Sequence, residues 1–399
     1  MKLKKITFLT LLILFSIPLQ NCALVSTKSD IKYESINDIL KPYLKRYKLP
    51  ALAAAVIKDG TVIAAGAVGT RKLGSRIDVT INDRFHIGSD TKAITALLAA
   101  IMVEKGKLKW TSTLSDIFPE LSDKMDKNMR TVTLEQLLSH TSGMPSDDEK
   151  FVELMLKTFE LEDKNLDEIR YWMVSNLVKK PLKNKPGSTF AYSNMGYVTV
   201  GAMIEKVTGR TWEELVTEKI FNPLGLETAG FGPQASVGKI DAPVGHIVVD
   251  GKTKALTAGP CADNPIMIGP AGTVHMSILD FAKWATYNIS EGKKGPKLVS
   301  KRSFQKLHKP IIEMELKKKA APGTPSHGQY ALGWAKVKFD WSKLPLLHHA
   351  GSNTKNLAYI TLSPEENFGM VLMTNIGNDN AQEAFLTLQE KLYKKYCKK

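Results

Sequence analysis

Between Ala93 and Val103 the only polar residue is Thr95. A helix that is apolar on every side has no face to give to water, so it must run through the interior. Gly106 stands just beyond it, where a helix closes in the left-handed conformation. The rest of the chain must then build layers around this element. Its 399 residues, 43% hydrophobic and 24% charged, can supply such a core. Attention moves to the polar groups at the head of the helix, expected over Ile87 to Gly106. Ser89 and Lys92 are three apart and share a face. Free amides and the helix dipole favour negative charge developing near Ser89. A lysine at the head of a buried helix is costly unless it is paired or shifted toward the neutral amine. A neutral Lys92 is a base able to activate Ser89. Ser89 as a plain N-cap, with Lys92 snorkelling to water, fits the same spacing. Ser-x-x-Lys recurs at five other places, so this segment alone leaves both readings open.

The order of elements follows from periodicity. Ser35 to Tyr47 has helical spacing, with Pro42 inside it as a candidate kink. Ala51–Ile57 and Thr61–Val68 flank Lys58-Asp59-Gly60, a hairpin signal. From about 107 to 255 short helices are expected, two of them started by capping boxes at Thr133/Gln136 and Thr211/Glu214. Strands return at 346–349, 357–362 and 368–374, and a last helix is expected from Ala381 to Tyr396. The fold class is α/β (α+β): one antiparallel sheet flanked by N- and C-terminal helices, interrupted by a helical insertion.

The amino terminus reads as an address. Three lysines precede the apolar run Ile6–Ile17, which is too short to span a bilayer and matches a secretory signal peptide over residues 1–21. Leu19-Gln20-Asn21-Cys22 resembles a bacterial lipobox, with Asn where Gly, Ala or Ser is usual. The favoured reading is lipidation of Cys22, a tether over 22–32, and a membrane-anchored protein of the bacterial cell envelope, facing the periplasm or the surface. An ordinary signal peptide with an incidental Cys22 is the alternative. The formal charge of +15 raises the question of nucleic acid. No basic helix, zinc-finger spacing or aromatic-plus-basic motif accompanies it, so nucleic acid is not expected as a partner. Cys22, Cys261 and Cys397 are too few for a disulfide framework.

Two further segments bear on chemistry. Tyr192-Ser193-Asn194 is the only Tyr-x-Asn among eleven tyrosines. A phenol beside a lysine relays protons, and an amide positions a carbonyl or an amine; a packed surface turn is the bland alternative. His348-His349-Ala350-Gly351-Ser352 ends a strand-like run. Gly351 lets a ligand approach closely, and the amide after it can complete an oxyanion hole. Adjacent histidines on a strand point to opposite faces and make a poor metal pair. With no His-Glu-x-x-His or Cys-x-x-Cys, neither a metal nor another cofactor is expected.

Ser89-x-x-Lys92, Tyr192-x-Asn194 and His349-x-Gly351, in that order, resemble the three motifs of the serine β-lactamase and penicillin-binding-protein superfamily, above all its class C β-lactamase-like branch. Leu137-Leu138-Ser139-His140-Thr141-Ser142-Gly143-Met144-Pro145, Gly269-Pro270-Ala271-Gly272 and Leu332-Gly333-Trp334 look like the same branch. The resemblance covers about 33–396. It implies a catalytic domain over 33–399, with the site between the sheet and the helical insertion. Ser89 would be the acylated nucleophile, with Lys92 and Tyr192 sharing the proton transfers. Asn194, His349, Gly351 and Ser352 would bind substrate, and the amides of Ser89 and Ser352 would form the oxyanion hole. The expected partner is a small-molecule or peptide substrate: a β-lactam, a D-amino-acid peptide or an ester. His349-Ala350-Gly351 replaces the Lys-Thr-Gly usual in efficient β-lactamases, which points toward peptidase or esterase action. A non-catalytic penicillin-binding or scaffold protein of the same fold is the alternative.

Overall fold

A computed structural model describes residues 33–145, 149–161, 163–256, 262–315, 324–325 and 327–397. The expected signal peptide, the tether, Cys22 and Cys261 lie outside the described residues. In chain order the strands begin with β1 (Glu34–Ser35), β2 (Ala51–Lys58), β3 (Thr61–Gly69) and β4 (Arg84–His86). Next come β5 (Gly230–Phe231), β6 (Gly245–Val249), β7 (Lys252–Leu256) and β8 (Val274–Ser277). The last group is β9 (Ile312–Glu313), β10 (His327–Tyr330), β11 (Ala335–Lys338), β12 (Leu346–Ser352), β13 (Leu357–Ser363) and β14 (Phe368–Thr374).

Nine of these form one sheet in the order β1-β3-β2-β14-β13-β12-β11-β10-β9. It is antiparallel except at its edge, where β1 runs parallel to β3. The chain's beginning and end therefore meet at its centre, with Ala55 opposite Val371. Every residue of β13 and β14 is buried, because helices cover both faces. The two-residue alternation sorts side chains between those faces. Ala51, Ala53, Ala55 and Ile57 of β2 join the core beneath the buried helix. Leu52, Ala54 and Val56 pack with Leu40, Phe385 and Leu388 of the terminal helices.

The helix foreseen over Ile87–Gly106 is a 3-10 turn, Gly88–Asp90, followed by an α-helix, Thr91–Glu104, buried from Thr91 through Met102. Thr95, the lone polar residue between Ala93 and Val103, donates to the Pro270 carbonyl at 2.7 Å. Both capping boxes form as expected, at Thr133 and Thr211. The first helix spans Asn37–Arg46 and continues through Pro42. The last begins at Asp379, earlier than expected, since Asn378 caps it by accepting from the Ala381 amide at 2.9 Å. The stretch 107–255 needs correction. It is helical as far as Leu224, then holds the short strand β5 and the β6–β7 hairpin, whose turn is Asp250-Gly251 with positive φ at both residues. Among the described residues no helix is long and apolar enough to cross a membrane.

Candidate active site

The buried helix delivers Lys92 to the interior with no exposed surface. Its Nζ donates to Asn194 Oδ1 at 2.6 Å and to the Ala271 carbonyl at 2.7 Å, and lies 3.0 Å from Ser89 Oγ. The ring centroids of Tyr192 and Tyr197 stand 4.8 and 5.4 Å from the same nitrogen. Ser89, Tyr192 and Asn194 keep partial exposure while Lys92 has none, so the cluster opens to solvent on the Ser89 side. The Ser89, Lys92, Tyr192 and Asn194 segments, 102 residues apart in sequence from Lys92 to Asn194, meet at one point.

The Leu137–Pro145 stretch explains how Tyr192 and Asn194 are held. His140 sits at a φ of 57°, and its ring packs 4.3 Å from the Tyr192 ring, centroid to centroid. Its Nδ1 accepts from the Ser193 amide at 3.1 Å. That bond places the ring proton on Nε2. Burial first, then Lys92 and His349, push the His140 pKa well below its usual value, so the ring stays neutral. Ser193 Oγ accepts from the Gly196 amide and starts the helix Asn194–Thr208, whose first residue is the lysine's partner.

The His349 ring is buried and has a contact at each nitrogen. Nδ1 lies 3.1 Å from Asp90 Oδ1, and Nε2 lies 3.2 Å from the Tyr330 hydroxyl. Burial raises Asp90 well above the carboxylate range despite Lys92, and burial with Lys92 lowers His349. Both shifts run toward the uncharged forms of the two groups. The ring therefore has no free donor for a substrate carboxylate. Gly351 is tightly packed. A Cβ there would stand 1.8 Å from the Ile87 carbonyl oxygen, so the bare backbone of β12 presses on the turn that carries Ser89. Gly88, at φ 52°, meets it from the other side: a Cβ would lie 2.3 Å from the Ser352 amide nitrogen. Ser352 Oγ donates to the Asn356 carbonyl at 2.8 Å, which leaves its main-chain amide as the group beside the Ser89 turn.

Asp90, Tyr330 and the Ala271 carbonyl escaped the sequence reading. The carbonyl has no side-chain signature, although Gly269–Gly272 marks its location. Among the described residues no group of three or more His, Cys, Asp or Glu could hold a metal.

Protein flp of Staphylococcus aureus strain MRSA252 is 25% identical over 349 residues, 87% of this chain. This chain spans only 63% of that protein's length. Penicillin-binding protein 4 of Amycolatopsis lactamdurans is 25% identical over 83% of this chain and 82% of its own. The octameric penicillin-binding protein homologue from Pyrococcus abyssi superposes with a TM-score of 0.72 at 25% identity, covering 90% of this chain and 76% of that one. D-alanine carboxypeptidase AmpC from Burkholderia cenocepacia shares the fold, with a TM-score of 0.65 at 20% identity over 89% of this chain and 97% of its own. The β-lactamase family model matches residues 36–393, from the first helix through almost all of the last; the chain belongs to the β-lactamase family.

Proposed function

We propose that the chain is a serine hydrolase working through an acyl-enzyme on Ser89. The observation that carries this is the placement of the Lys92 amine. A neutral amine has two N–H bonds and one lone pair. With its N–H groups on Asn194 and Ala271, the lone pair faces Ser89 Oγ at 3.0 Å, within reach for general-base catalysis. Ser89 Oγ attacks the substrate carbonyl carbon as its proton passes to Lys92. The developing oxyanion is met by the amides of Ser89 and Ser352, donors of a kind worth about 3–4 kcal/mol each. Collapse breaks the bond to the leaving group, which takes the proton through Tyr192. Water then attacks the acyl-enzyme, returns the proton and frees Ser89.

The substrate class is a β-lactam, a D-amino-acid peptide or an ester. The buried His349 favours the latter two, because a fixed cation for a carboxylate is missing from the third motif. A fluorophosphonate probe tests the nucleophile: displacement of fluoride by Ser89 leaves a phosphonyl adduct, expected in the native protein and lost in Ser89→Ala. No adduct, or one unchanged by that substitution, would favour the non-catalytic reading. Comparing nitrocefin, a short-chain ester and D-alanyl peptides then sorts the substrates. We also propose export and lipid anchoring through Cys22, supported by the apolar run before it. Palmitate-analogue label that persists in Cys22→Ala would rule that out.

A further inference from the structure

His86, on β4, and Asp263 are both buried, and neither belongs to the three sequence motifs. His86 Nδ1 accepts the Gly88 amide at 3.0 Å, one residue before Ser89. With Nδ1 an acceptor, the neutral ring carries its proton on Nε2. That nitrogen lies 2.9 Å from Asp263 Oδ1, in contact without ideal alignment. The same carboxylate oxygen accepts from the Asn264 amide at 2.7 Å and Asn353 Nδ2 at 2.8 Å. Asn353 Oδ1 in turn accepts from Asn356 Nδ2 at 3.1 Å. The Asn264 side chain donates to the Gly272 carbonyl at 2.8 Å.

This network ends at three places, each next to a group of the proposed site. Gly88 precedes Ser89. Gly272 follows Ala271, whose carbonyl holds Lys92. Asn356 offers the carbonyl to which Ser352 donates. The buried Asp263 carboxyl thus meets the His86 ring, Asn353 and the Asn264 amide through one oxygen. A buried carboxylate is a costly way to fill space, so its use to join three loops calls for a reason beyond packing.

We propose that His86 and Asp263 are positioning residues for the hydrolytic reaction: they fix the Gly88 amide, and so set the Ser89 hydroxyl within proton-transfer distance of Lys92. The inference rests on the acyl-enzyme reading above. The pair touches no substrate and acts through the turn. A nucleophile displaced by about 1 Å loses on the order of 10²-fold in rate.

The test is the rate of phosphonylation of full-length protein by the fluorophosphonate probe, with kcat and KM on a short-chain ester. His86→Leu removes the acceptor for the Gly88 amide and should slow phosphonylation by roughly 10²-fold, with kcat falling and KM unchanged. His86→Asn places an oxygen where Nδ1 stood and should restore at least about tenfold of that loss. If His86→Leu does not fold, Asp263→Asn carries the test: it is isosteric, keeps an acceptor and should lose roughly tenfold in kcat alone. Near-native rates in either variant would overturn the proposal, as would His86→Asn being no faster than His86→Leu. Native protein without a Ser89 adduct would overturn the hydrolase reading itself, and the positioning role with it.

Discussion

Arg170 and Lys92 are basic side chains with no exposed surface, and their surroundings differ in kind. Arg170, in the helical region, is clasped by Glu205 and Glu213, and its Nε donates to the Met267 carbonyl at 3.0 Å. Lys92 meets a hydroxyl, an amide oxygen and a peptide carbonyl, all neutral. Two carboxylates lock a proton onto a cation, whereas neutral acceptors bind an amine about as well once it has given that proton up. The guanidinium is also the group that cannot be deprotonated in a protein. Arg170 is therefore a fixed tie between helices. These three partners of Lys92 are compatible with both of its protonation states, as the proposed base requires.

Exchanging roles breaks this comparison most severely at Lys92. Lys92→Met keeps the length and apolar stem but removes the lone pair. It should cost about 10²–10⁴-fold in ester turnover, the usual size of an acid–base contribution. Lys92→Arg should be no better, since its charge is permanent. Near-native turnover by either variant would make Lys92 a structural cation like Arg170. The converse change is Arg170→Met, which strands Glu205 and Glu213. It should cost about 3–5 kcal/mol of stability in urea unfolding while turnover per folded molecule is unchanged. Burial already pushes Glu205 up to about 7 against the pull of Arg170, so it would take up a proton when the arginine goes. A variant that lost turnover but kept its stability would reverse the assignments.

The contrast extends to the neutral imidazoles. Burial pushes His275, His308 and His348 each down to about 4. These folded values lie below the unfolded value near 6.5, so unfolding takes up protons in acid. Their stabilising effect is complete above about pH 6.5 and is lost as pH falls toward about 4. Linkage gives on the order of 1–2 kcal/mol for each by pH 5. Melting temperature should fall through this window, and His348→Asn should make the slope shallower. An unchanged slope would mean His348 titrates alike in both states.

The cluster around Lys92 was legible in the sequence because its groups stand at helical or motif spacing. Ser89 and Lys92 share one helix face, and Tyr192 and Asn194 sit beside a cap. Five strands of the main sheet were readable from short apolar runs and the turn residues between them. Three things were not. The Ala271 carbonyl is backbone, so composition is silent about it. Gly351 marks a close approach in the sequence without saying what approaches, and in the structure its bare backbone lies against that of Ile87 and Asp90. The hairpin at Asp250-Gly251 had a turn signal within a region read as helical, and β5 has only two residues, too few for any period. Buried pairs such as Asp90–His349 depend on residues 259 apart, which no local pattern joins.

The smallest expected effect probes the comparison most finely, because Asp90 is the carboxyl that could turn Lys92 into a second Arg170. It lies two residues from the lysine, it is buried, and its Oδ2 has no hydrogen-bond partner among the described residues. An ionised Asp90 would hold the proton on Lys92 as Glu205 and Glu213 hold theirs on Arg170. Burial instead pushes Asp90 toward the neutral acid and His349 toward the neutral ring. Asparagine closely matches a neutral acid in shape and charge. Asp90→Asn should therefore shift unfolding free energy by under about 1.5 kcal/mol, as a volume-conserving change does, and leave the pH dependence of ester turnover in place. If Asp90 were ionised, removing its charge would lower the pKa of Lys92, and the acidic limb of the turnover profile would move to lower pH. A stationary limb keeps the two buried basic side chains distinct; a displaced one would make them variations on a single ion pair.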